Sequence, residues 1–250
     1  MTSEVRLLTI KHGTDMNYAI IAAGEGSRLV NEGVATPKPL VFLNGEPMID
    51  RLIRLFAGNN ASSVSVIINE EMTQVNEHLH NTKYPVPLHI VCKSTPSSMH
   101  SFYELSYRLG SERFCLTTVD TVFHEDEFAA YINAFNQCTA DGLFAVTAFI
   151  DDEKPLFVET NEDMTILGFH DENVANVSYV SGGIYCLENS SLPILKDAID
   201  AGMSKMRNYQ RQLVNGGLEI KAWSFSKIID VDRFDDIRKA EWFLNGSELQ

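Results

Sequence analysis

Short apolar runs rich in β-branched and aromatic residues alternate along the chain with stretches whose apolar positions recur every three or four residues. Residues 18–22, 64–68, 88–91 and 114–119 are runs of the first kind and read as strands. Between them lie helical patterns. Pro47 opens PMIDRLIRLFAG, which sets Met48, Leu52 and Leu55/Phe56 on one stripe and closes on Gly58. Residues 71–80 form a more polar helical stretch, 98–109 carry Phe102, Leu105 and Leu109, and 127–138 carry Phe128, Tyr131, Ile132 and Phe135. In the second half, strands are predicted over 142–150, 156–159, 165–169 and 179–187, separated by acidic turns such as DDEKP and NEDM. Helices follow over 191–201 and 205–215, then strands over 219–225 and 227–231 and a closing helix over 235–244. Repeated βα units predict an α/β fold with a mostly parallel sheet covered by helices on both faces, and the hairpin-rich middle adds antiparallel pieces. No linker-like tract or internal repeat divides the chain. One domain is expected over 16–250, with residues 1–15 as an appendage (an added strand, a floppy arm, or an upstream start codon).

Composition narrows the function. The 250 residues hold 20 Lys and Arg against 34 Asp and Glu, a formal charge of −14. A polymer of phosphates needs a basic face, so nucleic acid is excluded as main partner. A small anion is not, because a few local cations can hold one on an acidic protein. The four cysteines form no C-x-x-C pair, which argues against a zinc knuckle or a redox dithiol. The histidines show no H-E-x-x-H spacing, and no G-x-S-x-G elbow occurs. No apolar run reaches the roughly 18 residues of a membrane span, and MTSEVRLLTIKHGTD is not built like a signal peptide. A cytoplasmic enzyme is expected, with no membrane partner. Oligomeric state stays open, a homo-oligomer included.

The candidate chemistry begins where the first strand ends, in Ala22-Ala23-Gly24-Glu25-Gly26-Ser27-Arg28. Loops leaving the carboxyl ends of parallel strands form the ligand crevice, and small residues let backbone N–H groups approach phosphate closely. Leu29 stands where a dinucleotide fingerprint needs its third glycine, and no Gly-Lys-Ser/Thr follows, so neither standard phosphate loop applies. Arg28 and then Lys38, set between Pro37 and Pro39, either place a planar fork and a point charge beside the loop, as a triphosphate requires, or are simply solvated surface cations. Asp120 follows the fourth strand, either as a carboxylate emerging into the crevice or as a turn residue before a helix. Asp230 and Asp232 alternate onto one face of the last predicted strand.

AIIAAGEGSRL…PKPLVFLNGEPMI resembles the A-A-G-x-G-[ST]-R…P-K-x-L signature of the nucleotidyltransferases that make sugar nucleotides and related activated metabolites. This family includes molybdenum-cofactor guanylyltransferase-like members and a phosphocholine cytidylyltransferase-like branch. The resemblance implies a single-domain Rossmann-like α/β/α sandwich of the nucleotide-diphospho-sugar transferase type, with a mostly parallel mixed central sheet. It also implies an NTP and a phosphorylated small molecule as substrates, with Mg²⁺ as cofactor. Residues 22–28 and Lys38 would bind the nucleotide, Arg28, Lys38 and Asp120 would act in catalysis, and Asp120 with Asp232 or Asp230 would hold the metal. Gly182 and Gly183, in YVSGGIYCL, are similar to the family's acceptor-contacting turn, although a β-bulge would also use them. Thr160 replaces a lysine that many relatives use to hold a sugar phosphate. In place of the relatives' base-reading residues stands KSTPSSMHSFYEL, whose Ser97, Ser98 and Ser101 are either polar contacts or a helix start. Two other functions remain open. One is a nucleotide-binding regulator without turnover. The other is a glycosyltransferase of similar fold, for which Asp230-Val231-Asp232 is formally the D-x-D motif.

Overall fold

In the computed structural model, residues 16–110, 113–151, 153–173 and 177–246 are described, and the expected appendage over 1–15 lies outside them. The chain opens on β1 (Met16–Ile21), followed by the short helix α1 (Ser27–Asn31) and a hairpin of β2 (Phe42–Leu43) and β3 (Glu46–Pro47). Helix α2 (Met48–Gly58) leads to β4 (Ala61–Ile68), α3 (Thr73–Asn81), β5 (Leu88–Cys92) and α4 (Ser98–Ser106). Then come β6 (Phe114–Thr118), β7 (Thr121–Val122), α5 (Glu125–Gln137), β8 (Gly142–Thr147), β9 (Phe157–Thr160), β10 (Ile166–His170) and β11 (Tyr179–Leu187). Two helices, α6 (Ser191–Asp200) and α7 (Met206–Asn215), precede β12 (Ile220–Phe225), β13 (Ile229–Asp230) and α8 (Phe234–Leu244).

The sheet is mixed as expected. β5, β4, β1 and β6 are parallel neighbours. β11 then runs antiparallel to both β6 and β8, and β12 lies parallel to β8. The β9–β10 hairpin is attached to the start of β11. Side chains alternate between the two faces. Tyr18 and Ile20 of β1 join the core beneath α2, α3 and α5, while Ala19 and Ile21 join the core beneath α4, α6 and α7. Two apolar layers on one sheet make the fold an α/β/α sandwich.

Local chemistry explains the helices that position the site. In α2 the apolar stripe Met48, Ile49, Leu52, Ile53, Leu55 and Phe56 is fully buried, Pro47 precedes its first turn, and Asp50 faces the helix's positive end. In α5, Phe128 packs between Phe123 and Phe56, with ring centroids 4.8 and 5.6 Å away. Several predicted boundaries move. The strand expected over 142–150 stops at Thr147, that over 227–231 shrinks to Ile229–Asp230, and α4 ends at Ser106. The second follows from pairing, since β13 has only the two residues of β7 to bond with.

Candidate active site

The loop after β1, β6 and the end of β13 meet at one cleft of ≈ 740 Å³. Ala23, Gly24, Glu25, Gly26, Ser27 and Arg28 line it on one side. Ala22 does not: it is buried, and its N–H donates to Ile67 O at 2.9 Å, prolonging the sheet. Gly26 adopts φ 61, the left-handed conformation that favours glycine. A Cβ there would stand 3.0 Å from Lys38 Cβ, so the glycine also makes room for the lysine. Arg28 falls inside the first turn of α1 rather than at the end of a loop.

Lys38 opens a single 3₁₀ turn behind Pro37, and its side chain is only 8% exposed. Its ammonium donates to Asp120 Oδ2 and, at 2.6 Å, to Asp232 Oδ1. Arg28 Nη1 reaches the other oxygen of Asp232 at 2.7 Å. The two carboxylates are brought together by a small device. β7 and β13 pair through Ile229↔Val122 and Asp230↔Thr121, and Val231 N donates to Asp120 O at 3.0 Å. Burial pushes the Lys38 pKa down, but the Asp120 and Asp232 carboxylates outweigh it, and the net shift is upward. Burial likewise pushes Asp232 up, and Lys38 and then Arg28 and Arg233 carry it below the usual carboxylate range.

The opposite wall consists of Asn69 and Glu71 after β4, residues 94–98, and Ser101. Ser97 caps α4, its hydroxyl accepting from His100 N at 3.4 Å, and Thr95 and Ser101 share a hydrogen bond of 2.6 Å. The serines are thus both a helix start and a cleft wall. Asn69, Glu71 and Thr118 were not anticipated. The signal for them was positional, since Asn69 and Glu71 follow a parallel strand at its carboxyl end and Thr118 closes one.

A second cleft of ≈ 280 Å³ shares Arg28 and Asp232 with the first. Asp230 and Gly182 line it, together with Thr147, Phe149 and Ser181. The glycine pair sits at an irregularity of β11. The β11–β8 register breaks between Ser181 and Tyr185, an irregularity of the bulge kind, and Gly182 also faces the cleft. A Cβ on Gly182 would collide with Ile228 Cδ1. Gly183, at φ 74, packs against Thr121 instead and lines neither cleft. Thr160, at the end of β9, likewise lines neither.

No group of three or more His, Cys, Asp or Glu that would cage a metal occurs among the described residues. A hard divalent cation such as Mg²⁺ takes only one or two carboxylates and completes its shell with phosphate and water. Asp120 and Asp232 fit that requirement, because their oxygens already converge on one cationic atom, Lys38 Nζ.

Residues 18–175, more than half of the chain, match the MobA-like NTP transferase domain. The chain is 25% identical over 226 residues to bifunctional protein GlmU of Thermodesulfovibrio yellowstonii, which covers 85% of this chain and 48% of that protein. It therefore spans about half the length of that relative. Among solved structures it is similar to the inositol-1-phosphate CTP transferase from T. maritima, at TM-score 0.77 and 18% identity over 95% of this chain and 99% of the other. It is also similar to the CTP:phosphocholine cytidylyltransferase from Streptococcus pneumoniae, at TM-score 0.72 and 19% identity over 92% and 99%. At such identities the likeness concerns the fold, which is the Rossmann-like sandwich that the sequence signature implies. With the signature, the fold and the domain match in agreement, this chain belongs to the MobA-like NTP transferase domain family.

Proposed function

We propose that the protein transfers a nucleoside monophosphate from an NTP to the phosphate of a small acceptor and releases pyrophosphate. The observation that carries this reading is the constellation at the cleft mouth, where Arg28 and Lys38 meet Asp120 and Asp232 beside the glycine loop. Backbone groups of residues 23–27 would cradle the triphosphate. Arg28 would hold the oxygens of the departing pyrophosphate, and Lys38 would sit between the α-phosphate and the incoming phosphate. Asp120 and Asp232 would hold Mg²⁺, which supplies charge neutralisation at the phosphates when bound. The second pKa of a phosphate monoester is about 6, so the nucleophile is already ionised at neutral pH and no general base is required. Catalysis is then positioning plus electrostatics, as the residues suggest.

The acceptor would enter by the second cleft, which meets the first at Arg28 and Asp232. Asp151, Glu153, Asp230, Asp232 and Asp236 line it against Arg28, Arg233 and Lys239, beside the ring of Phe149. That balance suits an acceptor with one phosphate and a neutral or cationic remainder, such as an alcohol phosphate, better than one with a second anion. The similar solved proteins act on inositol 1-phosphate and phosphocholine by name.

The test is a pyrophosphate-release screen of CTP, UTP, GTP and ATP against sugar 1-phosphates, phosphocholine and inositol 1-phosphate, with Mg²⁺. Turnover of one pair, abolished in Asp120→Ala, is expected. Tight NTP binding without turnover on any acceptor would instead favour a regulator, and full activity in Asp120→Ala would refute the assignment.

A further inference from the structure

A third cleft, of ≈ 600 Å³, lies beyond residues 153–155 and shares Glu153 and Pro155 with the second. Lys154, Lys205, Arg207 and Arg211 line it against Glu153 and Asp171, a local excess of cations in a chain whose total charge is −14. Arg207 and Arg211 stand four residues apart on α7, and so on one face of it, where like charges repel. They are held nonetheless, and from behind. Arg207 Nη2 donates to Lys154 O at 3.1 Å, and Arg211 Nε donates to Phe169 O at 3.1 Å. One further nitrogen of each meets a single carboxylate, Arg207 Nη1 at Asp171 Oδ1 and Arg211 Nη2 at Asp171 Oδ2, the latter at 2.9 Å. The two arginine side chains are only 29% and 27% exposed, whereas that of Asp171 is 57% exposed. Two pre-set guanidinium forks thus answer one loop carboxylate, with Lys205 at the uncapped start of the same helix. Paired forks of this kind recognise phosphate and carboxylate groups, and Asp171 occupies the position such a group would take.

We propose that this third cleft is a binding site for a small phosphate- or carboxylate-bearing metabolite, which would displace Asp171 from Arg207 and Arg211. The ligand is a molecule separate from the acceptor, because the third cleft meets the second only at Glu153 and Pro155 and is lined by neither Arg28 nor Asp232. The claim concerns binding and is independent of the transfer reaction.

The experiment titrates the full chain with inorganic phosphate at constant ionic strength and reads binding by calorimetry. Asp171→Asn removes the internal competitor and keeps the side-chain shape. It should lower the half-saturating phosphate concentration about tenfold, as expected for charge-assisted hydrogen bonds freed for the ligand. Adding Arg211→Gln should abolish that gain. Phosphate bound at Arg28 and Lys38 would respond to neither change, so the two sites separate cleanly. An affinity indifferent to Asp171→Asn overturns the proposal, even where the arginine variant fails to fold.

Discussion

Lys38→Met removes one positive charge and little volume, and the structure sets the size of the effect. The side chain of Lys38 is 8% exposed, and those of Asp120 and Asp232 are 20% and 40% exposed. Stranding a fully buried partner costs about 3–5 kcal/mol. Here Asp232 keeps Arg28 at 2.7 Å and part of its hydration, and Asp120 keeps some water. The loss should therefore be smaller, about 1–3 kcal/mol. In a domain of this size each kcal/mol moves Tm by roughly 2–4 °C, so a fall of about 2–12 °C is expected. Mg²⁺ should restore part of it, and should raise the Tm of the variant more than that of the wild type, because it meets two carboxylates no longer shared with an ammonium. Pyrophosphate release should fall by about 10²–10³, the usual loss of one pre-set donor to developing charge. Differential scanning calorimetry with and without MgCl₂, followed by the release assay, reads all three. A variant as stable as wild type, and no more responsive to Mg²⁺, would show that Lys38 does not hold these carboxylates together.

The two loop glycines should part company. A Cβ on Gly24 meets nothing within 4 Å, so Gly24→Ala should leave Tm unchanged and raise the KM for NTP, whereas an unchanged KM would show that no ligand comes close to it. Gly26→Ala forces an L-residue to φ 61 against Lys38, and should cost about 1–2 kcal/mol in urea unfolding as well as activity. Phe128→Ala empties the ring cluster of Phe56, Phe123 and Tyr131 and should cost about 3–5 kcal/mol with the same denaturation midpoint shift by fluorescence and circular dichroism. The hydrogen bond from Arg54 holds Glu125 below its usual value of 4.5 against the opposing effect of burial. A depressed carboxylate contributes stability above its unfolded pKa and loses it as pH falls through the folded one. Glu125→Gln should therefore be less stable than wild type near pH 7 by under about 1 kcal/mol, the pair being half-exposed, and the gap should close in acid. A gap constant from about pH 7 to pH 3 would contradict the sign.

Elements whose patterns were long and buried were legible from the residues alone. The stripes of α2 and α5 and the apolar runs of β1, β4 and β6 point to their cores because apolar side chains on each of them pack into the two buried clusters. Where pairing rather than burial decides, the pattern is silent. β2 and β3 form a hairpin at Asn44-Gly45, both with positive φ, yet each strand has two residues and Phe42 is 56% exposed. The turn chemistry was in plain sight as an Asn-Gly pair, and the apolar pattern was not. The stretch 148–150 reads as strand, but the ring of Phe149 leaves the sheet to lie under Lys227 Nζ at 4.1 Å. At the site, Glu71 was not identifiable, whereas Arg28, Lys38, Asp120 and Asp232 were, from the motif and from carboxylates near strand ends. Their mutual engagement was not, because Lys38 and Asp232 lie 194 positions apart and meet only through the two-residue pairing of β7 with β13.

That engagement changes what the acidity of the chain means. A net −14 would repel a triphosphate if it were spread evenly, yet Arg28 and Lys38 cancel Asp120 and Asp232 charge for charge at the cleft mouth. Each cation is held by the carboxylate that a metal would take from it. On the proposed reading, a nucleotide arriving with a divalent ion would exchange partners: Asp120 and Asp232 would hold the metal, and Arg28 and Lys38 would be released to phosphate. Such an exchange would leave none of these four side chains without a partner, which avoids the cost of unpaired charge in a half-buried crevice. Glu25 and Glu71 leave the first cleft acidic beyond that pairing, and further carboxylates line the second, where on the proposed reading they would bear on which acceptor enters.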